Sequence, residues 1–375
     1  MSAQHKYIWQ SESWPLFEWN GGALISLLGR CRLYQGQLLA GIQSLDEAGR
    51  QHIVTDTLLQ STAHLWPHNG FGMDANSVHS AVAQKVGMPH QCDTRLMNHY
   101  GDGALEITWD ATQNYRSKLT PSRLFSWHAA LFPTGYSGMT PIPVGQYRNH
   151  DDSPAPNPSA ECRSAYQPPP SSRVATEMMH FFDHFATSID DIDGIIRAGV
   201  LHLHFAAIKP FADGNGRLAR VLTDMALAED EQTSIRAYSM AAQMMQHHSD
   251  YCQILEKVTL GDGDITPWLE WFLKTLQEAL NQGNIRVAFQ QIKAAFWREH
   301  GQFPLKKRQS IVLNRMLDAL LGGKSLPMTN REYTQITQTS HATAQRDLLD
   351  LVQKGCLIRG SGRGRSTAYW LVPPP

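Results

Sequence analysis

The chain has 375 residues, 42% of them apolar, and a formal charge of −1 with histidine neutral. That length suits two or three domains with sizeable cores. The near-zero charge excludes a protein that binds polyanions over its whole surface, so any nucleic-acid contact requires a local basic patch, and one lies near the C-terminus.

The N-terminal run MSAQHKYIWQSESWP has no basic stretch followed by an apolar one, and nowhere does the chain approach the roughly 18 uninterrupted apolar residues of a membrane span. The reading is a cytoplasmic protein. The first helical stretch is 16–45, where Leu24, Leu27, Leu28, Leu38, Leu39 and Ile42 recur at helical spacings. A second periodic piece around Asp56 to Leu65 runs into Pro67, Gly70 and Gly72, which stop regular structure, and helical character resumes from Asn76 to Val86. The stretch Asn149 to Ser172 carries six prolines and no hydrophobic period, so it reads as an exposed loop. Val174 to Gly283 is strongly helical, in pieces split at Pro210, Gly214 and Gly261.

The C-terminal part changes character. RQSIVLNRMLDALL is an amphipathic helix, a short helix opens after Thr329, and a third opens at Ser340 and stops at Gly355. Two apolar strand-like runs around a Gly/Arg-rich tip follow, as in a β-hairpin. Three helices and a hairpin form the winged-helix pattern, in which Gln345 and Arg346 would lie on the recognition helix and Arg359, Arg363 and Arg365 on the wing. The competing reading of this module is a dimerisation or packing appendage.

Five cysteines, Cys31, Cys92, Cys162, Cys252 and Cys356, are scattered and never spaced C-x-x-C, which reads as reduced thiols rather than disulfides or a zinc site. None of the 17 histidines sits in an H-E-x-x-H frame.

Chemistry concentrates in Lys209 to Arg220, KPFADGNGRLAR, a tight loop between two apolar helical runs. Gly214 and Gly216 allow backbone N–H groups to approach a ligand, and the helix that begins here points its positive dipole end at the same place. Arg217 and Arg220 can grip phosphate oxygens in bidentate fashion, and Asp213 is a candidate Mg²⁺ ligand. A plain left-handed helix cap is the competing reading for the glycines. A carboxylate, an amide and two arginines crowded around them favour the anion site.

This run resembles the Fic motif, H-P-F-x-D/E-G-N-G-R-x-x-R. Pro210, Phe211, Ala212, Asp213, Gly214, Asn215, Gly216, Arg217, Leu218, Ala219 and Arg220 satisfy eleven of its twelve positions. LFSWHAALFPTG (Leu124 to Gly135), RAYSMAAQ, DITPWLEWFL, the N-terminal IWQSESWPLFEW and the C-terminal module resemble other parts of one Fic subgroup. The resemblance implies a mainly α protein: an N-terminal helical region (1–118), a Fic helical core with a small β-hairpin flap (119–283) and a winged helix (284–375). It also implies transfer of AMP, or a related group, from ATP or another nucleotide or diphosphate ligand to a hydroxyl, with Mg²⁺ on Asp213. Phosphates would lie on Gly214, Asn215, Gly216 and Arg217, and the terminal ones on Arg220. Phe211 would anchor the loop, and Tyr251 resembles a position near the nucleobase pocket, where a packing tyrosine is the competing reading. Trp127 and His128 read as packing or capping residues. The implied partners are a nucleotide, an acceptor protein or small molecule, DNA at the winged helix and a second copy of the chain.

Three departures qualify that resemblance. Lys209 stands at the catalytic histidine's position, and lysine, with an ordinary pKa of about 10.4 against about 6.5 for histidine, would be a cation and a poor base at neutral pH unless desolvation or neighbouring arginines lowered its pKa by several units. The open explanations are an engineered inactivating change, a pseudoenzyme, or altered chemistry with lysine as acid, electrostatic stabiliser or nucleophile. The inhibitory S/T-x-x-x-E-G/N motif corresponds to Ser61 through Trp66, with Leu65 and Trp66 in place of Glu and Gly. The flap stretch Arg148 to Pro158 is acidic and proline-rich, and proline cannot donate to a ladder. A small-molecule acceptor is therefore a serious candidate.

Overall fold

The computed structural model describes residues 6–65, 81–82, 84–87, 99–150, 162, 165–189, 191–321, 326–360 and 367–372. The chain is mainly helical, with small antiparallel strand pairs. It divides into two compact units, one of Met1–Leu39 with Gln51–Gly283 and one of Ala40–Arg50 with Asn284–Pro375. Among the described residues no helix is long and apolar enough to cross a membrane.

The first unit opens with a single 3-10 turn, Ile8–Gln10, then α1 (Gly21–Gln43) and α2 (Glu47–Ala63), both of which continue into the second unit's 40–50 stretch. Leu24 and Leu38 of α1 are buried, as the helical spacing predicts. After α3 (His99–Gln113) comes α4 (Pro121–Leu131), whose start is fixed by proline in its first turn and by Thr120, whose hydroxyl accepts from Arg123 N–H. Gly103 lets α3 approach α4, since a Cβ there would lie 1.9 Å from the Ala130 carbonyl oxygen. A two-residue-per-strand hairpin follows, β1 (Tyr136–Ser137) and β2 (Thr140–Pro141), with Tyr136 opposite Pro141 and Ser137 opposite Thr140.

Next come α5 (Ser171–Thr187), α6 (Gly194–Ile208), α7 (Asn215–Glu231), α8 (Met240–Gln246), α9 (His248–Thr259) and α10 (Thr266–His300). The central element is α6, apolar nearly all round and almost wholly buried, the pattern of a helix surrounded by others. Asp193 caps it, its carboxylate accepting from the N–H groups of Ile195 and Ile196. Arg32 of α1 clamps the far end of the α6–α7 pair, donating to Asp193 and to Asp230 at 2.8 and 2.6 Å.

The second unit holds the end of α10, α11 (Lys307–Leu321), β3 (Met328–Thr329), α12 (Asn330–Thr337), α13 (His341–Gln353), β4 (Leu357–Arg359) and β5 (Ala368–Leu371). The three strands form an antiparallel sheet in the order β3-β5-β4. Thr329 and Ser340 cap α12 and α13, at the two positions expected from sequence. Phe296, Leu313, Met316, Tyr333, Leu348 and Leu351 form its core. Buried Asp347 is tied down by Lys306, Arg308 and the Tyr333 hydroxyl. Arg363 and Arg365 lie outside the described residues.

Candidate functional site

The turn between α6 and α7 is shaped first by its backbone. α6 ends at Lys209, which takes the left-handed conformation (φ 46°, ψ 64°) while its N–H still reaches the Phe205 carbonyl. For a residue with a β-carbon that conformation costs about 1–2 kcal/mol. Arg148 supports the strained end: its Nε donates to the Lys209 carbonyl at 2.8 Å and its backbone N–H to the Pro210 carbonyl at 2.9 Å. The same guanidinium reaches the carbonyls of Ile208 and Pro169. A cation over the last carbonyls of a helix complements the negative end of its dipole.

Asn215 locks the turn from inside. Its Oδ1 accepts the Phe211 N–H at 3.0 Å and its Nδ2 donates to the Phe211 carbonyl at 2.8 Å. The side-chain amide expected to face an anion is thus engaged within the loop, where it pairs with both the donor and the acceptor of Phe211. Phe211 itself is buried and its ring stacks on His128, with centroids 4.1 Å apart. His128 Nδ1 accepts from the Gly145 N–H, so its proton sits on Nε2, which donates to the Asp213 carbonyl at 3.2 Å. Burial pulls the imidazole pKa down to about 4, with Arg217 acting in the same direction and the bond to Asp213 against it. His128 is therefore a neutral brace of the loop at pH 7. Trp127 likewise packs, its Nε1 donating to Asp110 at 2.8 Å.

Gly214 has φ +80°, and a Cβ there would lie 2.8 Å from Phe132 Cε2, so both the conformation and the close approach require glycine. It is the N-cap of α7 and supplies no side-chain cap to the first turn, where Asn215, Gly216 and Arg217 sit. Asp213 accepts from the Gly214 N–H at 2.6 Å through Oδ1 and from the Ser137 hydroxyl through Oδ2. Its Oδ2 also lies 4.0 Å from Arg217, and the Asp213 side chain is 34% exposed against 7% for Arg217. The Arg217 guanidinium rests over the Phe132 ring, 4.6 Å from its centroid. Asp213 and Arg217 thus come together at the start of α7. Arg220 turns elsewhere: it is buried, and its guanidinium donates to the His64 carbonyl at 3.3 Å, just past the end of α2.

The Lys209 amine lies 5.5 Å from the centroid of the Tyr166 ring. Burial pushes its pKa below the ordinary lysine value, Arg148 pushes the same way, and Glu256 opposes both. Tyr166 is held by a bond from its hydroxyl to the Ala207 carbonyl at 2.9 Å. Tyr251 is buried, its hydroxyl 2.9 Å from His202 Nε2 and its ring against Trp268 and Trp271. His202 and His204 are both core residues, His202 bonded to Thr223 and His204 enclosed by Trp14, Phe17 and Phe181.

Three readings of the sequence need correction or completion. Cys162 and Cys252 form a disulfide, which overturns the reading of all five cysteines as reduced thiols; 90 residues separate the pair, and only the fold brings their Cα atoms to 5.3 Å. The hairpin beside the loop is Tyr136–Pro141, whereas of the flap stretch Arg148 to Pro158 only Arg148, Asn149 and His150 belong to the described residues. In the stretch matching the inhibitory motif, Ser61 donates to the Ser239 hydroxyl at 2.8 Å and Leu65 is buried, while Trp66 lies outside the described residues. Ser137, Arg148, Tyr166 and Glu256 escaped the sequence reading as site residues, because a lone Ser, Arg, Tyr or Glu in a loop or on a helix carries no spacing signal.

Residues 118–227 match the family model described as the Fic/DOC family, and residues 7–88 match a domain of unknown function (DUF4172). Among solved structures, the chain is similar to a Fic family protein from Desulfovibrio desulfuricans at 17% identity and a TM-score of 0.52, covering 93% of this chain and 96% of that one. It is also similar to a Fic domain containing signaling protein from Bacteroides thetaiotaomicron at 17% identity and a TM-score of 0.50, covering 69% of this chain and 97% of that one. Both are likenesses of fold.

Proposed function

Because this chain belongs to the Fic/DOC family, we propose that it is a Fic-type transferase that binds a nucleotide or related diphosphate with Mg²⁺ at the start of α7 and moves part of it to a hydroxyl. The observation that carries this reading is the meeting of Asp213 and Arg217, 4.0 Å apart, at a helix N-terminus without a side-chain cap.

The residues present fit such a ligand. One partly exposed carboxylate suits Mg²⁺, which is commonly held by one or two carboxylates together with substrate phosphates. An uncapped helix start beside a guanidinium suits the phosphates. When bound, the magnesium nucleotide supplies the activated phosphorus and its leaving group. In this reading Asp213 holds the ion in place of its present bond from Ser137. Arg217 and the backbone N–H groups of Asn215 and Gly216 hold phosphate oxygens, the Gly214 N–H joins them only by leaving Asp213, and Arg220 reaches the terminal ones only by leaving the His64 carbonyl. Phe211 and His128 keep the loop in shape, and Tyr251 stiffens α9 from within.

Lys209 takes the proton-accepting role in this reading. An amine whose pKa is lowered by burial and by Arg148 is neutral more of the time, which is the form able to take a hydroxyl proton. The acceptor is a small molecule or a protein side chain. Calorimetry with Mg²⁺ and ATP, other nucleoside triphosphates and nucleotide sugars tests the reading: one of them binds, and Arg217→Ala abolishes the heat. Absence of binding by every one of these to the unaltered protein removes it.

A second reading is a catalytically silent, ligand-sensing regulator that docks on DNA. It rests on the order of helices and strands in the second unit, read as a winged helix, with Gln345 and Arg346 side by side and exposed on α13 and Arg359 exposed on β4. Mobility shifts on duplex DNA that are unchanged by Arg346→Ala with Arg359→Ala speak against it.

A further inference from the structure

The side of α9 that faces Cys162 and Ala165 carries three groups one helical turn apart. His248, Cys252 and Glu256 stand at i, i+4 and i+8, and a segment packed on that face uses two of them directly. Cys162 is bonded to Cys252, and the Ala165 N–H donates to Glu256 at 2.7 Å. His248 Nε2 lies 3.7 Å from the Cys252 sulfur. Cys162, His248 and Cys252 are also the one cluster among the described residues with a metal-like arrangement, their ligand atoms within 4.8 Å of one another and each side chain half-buried. The two free described cysteines contrast with them. Cys31 is fully buried, its thiol pushed up to about 12 by desolvation and donating to the Leu273 carbonyl. Cys356 is also fully buried.

Directly beyond the disulfide lies Tyr166, whose ring covers the Lys209 amine at 5.5 Å and whose hydroxyl is fixed on the Ala207 carbonyl. Gln167 is held by the Trp9 indole N–H at 2.8 Å. The disulfide thus ties down the chain four positions before Tyr166, the group over the Lys209 amine.

We propose that Cys162 and Cys252 are a reversible thiol–disulfide modification site, served by His248, whose oxidised form holds Tyr166 over Lys209 and whose reduced form lets it loosen. Cys252 gives its proton to His248 Nε2 and attacks a low-molecular-weight disulfide, displacing one thiolate. Cys162 then attacks the mixed disulfide at the Cys252 sulfur, closing the protein bond and displacing the second thiol. Two protein thiols are oxidised and one small disulfide is reduced to two thiols. The inference concerns the redox pair and stands whether or not the chain transfers a nucleotide.

The test equilibrates the full-length protein in reduced or oxidised glutathione. Differential alkylation with peptide mass spectrometry then reads each cysteine, and brief acetylation reads each lysine. The expected result is a Cys162–Cys252 linked peptide in oxidised buffer and two alkylated thiols in reduced buffer, with Cys31 and Cys356 unoxidised in both. Lys209 acetylation is expected to rise several-fold on reduction, and Cys162→Ser is expected to show the fast rate in both buffers. Alkylation of both cysteines in every buffer overturns the proposal. So does a Lys209 rate indifferent to redox state, or a reduced protein that binds one equivalent of Zn²⁺ through these thiols and then resists oxidation.

Discussion

Arg148 donates its Nε to the carbonyl of Lys209 at 2.8 Å while its charge depresses the pKa of the amine on that same residue. One side chain thus braces a left-handed helix end and biases the protonation of the group attached to it. Arg148→Gln removes both effects. Stability is expected to fall by about 2 kcal/mol, the scale of a lost hydrogen bond from a charged group, and the Lys209 pKa to rise toward the ordinary lysine range. The pH dependence of Lys209 acetylation reads the second effect. An unchanged midpoint in a folded Arg148→Gln protein shows that burial alone sets that pKa. Arg148→Lys is expected to recover the pKa more fully than the stability, because an ammonium cannot reproduce the fork that reaches several carbonyls.

Lys209→His tests whether the pocket retains the family's ordinary chemistry. Histidine tolerates the left-handed region better than most side chains, so the variant is expected to fold at least as stably as the parent. With labelled ATP and Mg²⁺ it is expected to modify itself or an added protein at a higher rate than the parent does. Stable folding and nucleotide binding without any label transfer would mean that more than this one side chain separates the chain from AMP transfer.

The meeting of Asp213 and Arg217 beside two glycines at a helix start was legible from sequence because it is local. Gly214, Gly216, Asp213 and Arg217 lie within five residues and need only a helix start between them to converge. The capped helices α12 and α13 were legible for the same reason, since Thr329 and Ser340 act on N–H groups three residues away. What could not be read depends on distant chain. Cys162 and Cys252 meet only because the fold sets Cys162 and Ala165 against α9, 90 residues further along the chain. Ser137 reaches Asp213 through a hairpin of two-residue strands, too short to show alternation. Arg220 and Asn215 match the motif yet turn to His64 and to Phe211, partners chosen by the fold rather than by spacing.

Asn215 makes two bonds to one residue, and the two can be separated by substitution. Asn215→Asp keeps an acceptor for the Phe211 N–H but turns the other bond into a repulsion between a carboxylate and the Phe211 carbonyl. Part of that loss is offset by negative charge at the start of α7, about 0.5 kcal/mol. The net destabilisation is expected to be about 1–2 kcal/mol, and Asn215→Ala is expected to cost about 2–3 kcal/mol because both Phe211 groups lose their partner. Denaturant unfolding ranks the variants. Asp as costly as Ala would mean that the amide's donor half carries the loop.

His128 predicts a pH dependence whose sign follows from its neutral brace. Its folded pKa of about 4 lies below the ordinary value of 6.5, so above pH 6.5 it is neutral in both states and contributes no slope. As pH falls below that value the unfolded chain takes up a proton that the folded loop refuses, and stability drops by about 1.4 kcal/mol per pH unit until about pH 4. Buried His204, pulled down to about 3 by desolvation, adds a slope of the same sign. His128→Gln preserves a donor for the Asp213 carbonyl and removes one of these titrations, leaving those of His204 and of His184, whose pKa burial also lowers. Urea unfolding at pH 7, 6 and 5 should therefore give a shallower loss of stability in His128→Gln than in the parent, by roughly the contribution of one histidine. Parallel curves would place a proton on Nδ1 or a titration near 6.5, and His128 could then no longer be the neutral strut between Gly145 and Asp213.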